Sequence, residues 1–90
     1  MTTLQQIKEL LESNKNEEAL MEINRYIEAH LQEDEAYFIR GNIYRKYGNW
    51  KFAIENYCEA SSLNPNSPAV QACEAIKEIL DFYHTDLYNP

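Results

Sequence analysis

Residues 37–65 read YFIRGNIYRKYGNWKFAIENYCEASSLNP, and this stretch decides the fold. Tyr37, Gly41 and Tyr44 follow one another at spacings of four and three, so they share one face of a helix. A glycine inside a helix costs roughly 1 kcal/mol relative to alanine. Close approach of a second helix supplies the reason for it. That helix follows the break at Gly48-Asn49, and Ala53 and Ala60, seven apart, give it a small-residue face. Tyr57, between them, fills the volume that the small residues leave, and Asn64-Pro65 stops the segment. The stretch therefore predicts two antiparallel helices joined by a tight turn. Such a pair keeps apolar surface on its outer faces and has to stack on neighbours.

A shift of 34 residues finds a weaker copy upstream: Ala19 falls on Ala53, Leu20 on Ile54, Ile23 on Tyr57, Leu10 on Tyr44 and Asn14 on Gly48. Ile7 stands at the position of Gly41 and Leu31 at that of Pro65. The series Tyr37, Gly41, Tyr44, Ala53, Tyr57, Pro65, together with Ala60, resembles one tetratricopeptide repeat, W-x₂-L-G-x₂-Y…A-x₃-F…P, with Tyr37 at the tryptophan and Arg40 where leucine is usual. The resemblance implies an all-α chain of two antiparallel helix pairs plus a C-terminal fifth helix, stacked as an alpha-alpha superhelix. It divides a single domain into a degenerate first repeat (2–33), a well-matched second repeat (34–66), a capping helix (67–84) and an aromatic tail (85–90).

Within that frame, Thr2 or Thr3 is expected to cap a first helix over roughly 3–13. Asn16 is expected to cap a second helix running to about Leu31, with Ala19, Leu20, Ile23, Tyr26, Ile27 and Leu31 inward. Asp34 is the expected cap of the third helix, and the fourth starts at Asn49 or Trp50, with Trp50 packing over the hinge. Ser67-Pro68 opens the fifth. Its apolar series Ala69, Ala72, Cys73, Ile76, Ile79, Leu80 and Tyr83 predicts a long helix reaching into the 80s. The tail carries Phe82, Tyr83, Leu87 and Tyr88, too many aromatics for a disordered segment, and is expected to be ordered against the stack or a second chain.

The formal net charge of −7 disfavours nucleic acid and anionic membrane as partners. No run of 18 apolar residues is present, and the N-terminal residues lack the basic and apolar regions of a signal peptide, so a cytoplasmic protein is expected. Cys58 and Cys73, 15 apart, fit no metal spacing and read as reduced thiols. Nothing assembles into a catalytic motif. His30 stands near a helix end, where histidine caps carbonyls. His84 has Asp81 and Asp86 nearby but no fuller ligand set, and Gly41 and Gly48 make no phosphate loop. The expectation is a protein without catalysis, cofactor or metal.

The resemblance also implies a concave surface lined by the first helix of each pair. Its positions would be Leu4, Gln5, Lys8, Leu11 and Glu12 on the first helix, and Glu35, Phe38, Ile39, Asn42, Arg45 and Lys46 on the third. Lys8, Arg45 and Lys46 are three of the chain's eight basic residues and would attract an acidic segment or a terminal carboxylate. Asn42 would bond a peptide backbone, and Phe38 would offer an apolar wall. The carboxylate clamp of some tetratricopeptide proteins is incomplete, because Phe38, Ile39, Ala69 and Cys73 stand where it requires lysine, asparagine or arginine. The expected function is a protein–protein interaction module, an adaptor or scaffold. The alternative is a homodimer formed through the apolar fifth helix and the tail.

Overall fold

The computed structural model describes residues 2–88, with side chains for residues 2–79. Five helices follow in order: α1 (Leu4–Glu12), α2 (Asn16–Ala29), α3 (Asp34–Lys46), α4 (Trp50–Leu63) and α5 (Ala69–Tyr88). Each packs on its neighbours in sequence, α3 with α4 most extensively, and α1 also touches α3. The result is an all-α stack of two antiparallel pairs closed by a fifth helix.

The turns repeat with the 34-residue shift. Lys15 N–H donates to Leu10 O at 2.9 Å, and Asn49 N–H to Tyr44 O at 2.9 Å. Asn14 N–H donates to Leu11 O, and Gly48 N–H to Arg45 O. Between pairs, Glu33 N–H donates to His30 O as Ser67 N–H does to Asn64 O. Asn14 and Gly48 both hold positive φ, 62° and 77°. Glycine adopts this conformation without strain, and asparagine tolerates it better than most residues.

Helix starts follow local chemistry. Thr3 caps α1 in a capping box with Gln6, as expected. Asn49 caps α4 by accepting from Phe52 N–H at 3.2 Å. Two expected caps move by one residue. The N-cap of α2 is Lys15, whose side chain makes no capping bond, and that of α3 is Glu33. The shared turn geometry sets the first case: residue 15 takes the conformation of residue 49, which leaves Asn16 already helical. Its Oδ1 is buried with no hydrogen-bond partner among the described residues. Asp34 instead accepts from Asn64 Nδ2 at 3.3 Å, tying the start of α3 to the end of α4.

The core runs through the whole stack, from Ile7, Ala19, Ile23 and Ile27 through Tyr37, Ile43, Ala53, Tyr57 and Ala60 to Ala69, Cys73 and Ile76. Gly41 sits under the ring of Tyr57, and a Cβ there would lie 2.6 Å from Cε1 and 2.7 Å from Cδ1. What approaches the glycine is thus an aromatic ring rather than a second backbone. Tyr44 and Trp50 are half-buried against the same core, Trp50 from the first residue of α4.

One further expectation needs correction. Leu31 is 59% exposed, because α2 ends at Ala29 and His30 caps it. The Leu31 carbonyl accepts from the Tyr37 hydroxyl at 2.9 Å. Pro65 is exposed just beyond the C-cap Asn64, so it ends α4 without packing in the core. The apolar face at the start of α5, Ala69, Cys73 and Ile76, is buried, α5 packing on α4. The helix reaches Tyr88, as expected. The side chains of Leu80, Phe82, Tyr83, Leu87 and Tyr88, and of the Asp81, His84 and Asp86 group, lie outside the described residues, as does the end of the tail.

Candidate functional site

The expected concave face brings α1, α3 and the start of α5 together around a hollow of about 260 Å³, lined by Lys8, Asp34, Glu35, Phe38, Ser67 and Pro68. Phe38 is half-buried at its wall, its ring tilted against Tyr57 with centroids 5.7 Å apart. Pro68 is exposed at the rim, while Ser67 is buried and caps α5 by accepting from Ala69 N–H at 3.1 Å. Leu11 and Leu4 are half-buried against the core. Ile39 does not line this face. It is 2% exposed, turned into the stack.

Lys8, Glu35, Asn42 and Lys46 of this face are engaged within the chain. Lys8 Nζ lies 2.7 Å from Glu35 Oε1, an ion pair that links α1 to α3. Lys46 Nζ donates to Leu11 O at 2.7 Å and Asn14 Oδ1 at 2.9 Å. Leu11 O belongs to the last turn of α1, where carbonyls lack helical donors and a cation is favoured. Lys46 therefore acts as a C-terminal cap for α1. Asn42 Oδ1 accepts from the Tyr57 hydroxyl. Tyr57 is fully buried, and a buried phenol needs a partner for its O–H. Burial pushes the Tyr57 phenol up, and the Arg45 guanidinium beside it pulls the other way. Two of the three expected bases, Lys8 and Lys46, thus each link α3 to α1, while Arg45 is exposed.

Sequence reasoning missed Arg40. Its Nε donates to Asn56 Oδ1 at 2.6 Å and its Nη1 to Asn24 Oδ1 at 3.0 Å, which connects α3 to both α4 and α2. The guanidinium lies 5.5 Å from the Tyr37 ring centroid. Asn56 is 7% exposed and completes its bonding by donating from Nδ2 to Phe52 O at 2.8 Å. The available signal was the substitution of arginine for the usual leucine, together with polar residues at both Asn24 and Asn56, which are 32 apart.

A second hollow, about 230 Å³, lies between the N-terminus and the end of α2, with Tyr26 and His30 on its wall. Their rings stack at 4.1 Å. His30 Nδ1 is 2.9 Å from Tyr26 O, and since a carbonyl only accepts, Nδ1 carries the proton. The Tyr26 hydroxyl donates to Glu33 Oε2 at 2.7 Å, which pushes the phenol up to about 12. These groups fix the end of α2.

Among the described residues, no group of three or more His, Cys, Asp or Glu side chains is placed to hold a metal ion. No helix among them is long and apolar enough to cross a membrane.

The fold thus defines a small, all-α stack of helix pairs. No protein-family model matches the chain, and no curated protein matches it. It is similar to the Bacteroides fragilis protein BF1650, whose solution NMR structure superposes with a TM-score of 0.83 at 43% sequence identity, covering 99% of this chain and 91% of that one. The chain belongs to the same family as that protein.

Proposed function

We propose that the chain is a tetratricopeptide-type interaction module, without catalysis, that receives a segment of another protein along the face formed by α1, α3 and the start of α5. The observation that carries this reading is the 34-residue register of the two helix pairs, seen in the turn hydrogen bonds and in the paired positive-φ residues Asn14 and Gly48. Repeats of this kind bury only their shared faces and leave a continuous outer face for partners. On that face Phe38 and Pro68 offer an apolar seat, and the Lys8–Glu35 pair sits at its edge. The occupant we propose is an extended segment presenting one apolar side chain to that seat. Selection by acidity is not part of the proposal, since Lys8 and Lys46 are held by Glu35 and by the end of α1.

The test is a selection of binding peptides from a displayed random library, followed by amide chemical-shift mapping on the labelled chain. Shifts should cluster at Lys8, Glu35, Phe38 and Ala69. Pro68→Arg, at an exposed position, should weaken binding about tenfold while leaving the melting temperature unchanged. Binders that map elsewhere, or that tolerate Pro68→Arg, would sink the reading.

A second reading, self-association through α5, is favoured by one observation. The 20 residues of α5 extend about 30 Å, whereas the 14 of α4 extend about 21 Å, so α4 cannot cover the whole of it. Sedimentation equilibrium on the full chain and on the chain without residues 82–90 decides it: a dimer that becomes a monomer on truncation supports self-association, and a concentration-independent monomer excludes it.

A further inference from the structure

The hollow at Phe38 carries more acid than base. Three of its six lining residues are charged: Lys8, Asp34 and Glu35. Lys8 and Glu35 neutralise each other at 2.7 Å. Asp34 is half-buried, and among the described residues its side chain accepts one hydrogen bond, from the neutral amide of Asn64 at 3.3 Å. An ionised carboxylate has several acceptor sites, so one long bond from an amide leaves both the sites and the charge short of partners. Asp34 stands in the first turn of α3, where the helix end supplies about half a positive charge and offsets only part of it. The other bases of this face stand too far off to help. Arg45 and Lys46 occupy the last turn of α3. That is roughly 17 Å away at the helical rise, against a screening length of about 8 Å at physiological salt.

We propose that the segment received on this face is basic, with a lysine or arginine two residues from its apolar anchor. The inference rests on the reading of this face given above. Helix geometry supplies the register. Asp34 and Phe38 are four apart on α3 and share one side of it, with Cβ atoms about 5–6 Å apart. In an extended segment every second side chain points the same way, about 7 Å along. A segment laid along α3 with an apolar side chain on Phe38 and Pro68 therefore brings its next-but-one side chain to Asp34. Lysine there meets an unneutralised charge, and arginine matches the carboxylate with two parallel bonds. The whole chain works in the same direction, since its net charge of −7 draws basic segments toward it.

The experiment selects displayed random heptapeptides on the full chain and maps each binder by amide shifts. Binders that shift Phe38 should carry lysine or arginine two residues from an apolar residue. The best of them is made as a peptide blocked at both ends, beside an analogue with glutamine at the basic position. The analogue should bind about fivefold more weakly, and high salt should erase the difference. Asp34→Asn keeps an oxygen that accepts from Asn64, so it should fold normally and bind the two peptides equally. Should Asp34→Asn fail to fold, the peptide pair and its salt dependence decide the matter on the wild-type chain. Binders at Phe38 with acid or no base at that position, a glutamine analogue that binds as well, or a basic preference that survives Asp34→Asn would each overturn this inference and leave the interaction reading standing. Binders that map only elsewhere would overturn both.

Discussion

The two helix pairs share turn geometry and solve packing in opposite ways. In α3–α4 the crossing is filled by Tyr57, and its partner residue is Gly41, without a side chain. In α1–α2 the equivalent positions are Ile23 and Ile7, both fully buried, so the volume is divided between two medium side chains. The same space is closed by large plus nothing in one pair and by medium plus medium in the other. The helix starts differ too: Asn49 caps α4 with its side chain, whereas Lys15, in nearly the same backbone conformation, gives α2 no such bond. A repeat thus preserves the backbone turn geometry while the residues that fill the crossing change.

Enlarging position 41 should have the largest effect. Gly41→Leu must displace the buried Tyr57 ring, and overpacking of this kind costs about 3 kcal/mol or more. Urea denaturation measures it, and a midpoint within error of wild type would remove Gly41 from the packed crossing. The first pair should be sensitive in the other direction. Ile7→Ala opens a cavity and should cost about 3 kcal/mol, whereas the same denaturation series should show Ile7→Val losing only about 1 kcal/mol.

The caps give a smaller contrast, with opposite signs. Asn49→Ala should cost about 1 kcal/mol by removing the bond to Phe52 N–H. Lys15→Asn should add about 1 kcal/mol by installing in α2 the cap that α4 already has. If Lys15→Asn proves neutral in thermal melts, the two turns are less equivalent than their hydrogen bonds imply.

The smallest effect concerns the end of the first pair. With the Tyr26 phenol raised to about 12 by its bond to Glu33, the neutral form is favoured in the folded state. The sign follows: this contribution is complete below the ordinary tyrosine value near 10 and is lost as pH rises through about 12. Spectrophotometric titration should show Glu33→Gln bringing one tyrosine back toward the ordinary value. An unchanged alkaline titration would mean that the Tyr26–Glu33 bond does not persist in solution.

Much of the fold was legible because it depends on spacing. The face of Tyr37, Gly41 and Tyr44, the shift of Ala19 onto Ala53, and the stop at Asn64-Pro65 are local or periodic facts, and they located all five helices. Cap positions were less legible. Asn16 has the right chemistry for a cap, but the positive φ at Asn14 fixes which residue arrives at the cap position. The candidate site was legible only in part. Helical geometry placed Lys8, Phe38 and Asn42 on one face, yet it could not show that Lys8 reaches Glu35 across 27 residues of sequence, or that Lys46 reaches back to Leu11 across 35.

By itself, then, the sequence determined the class, the number and order of the helices, and the close approach of a neighbour at Gly41, though not that the neighbour is the Tyr57 ring. These follow from periodicity and volume, which are properties of a chain before it folds. The tertiary structure alone decided which polar groups meet: Arg40 with Asn24 and Asn56, and Lys46 with the end of α1. The physical reason is reach. Long or polar side chains choose partners within a few ångströms in space, and which partners lie that close is set by how the helices cross.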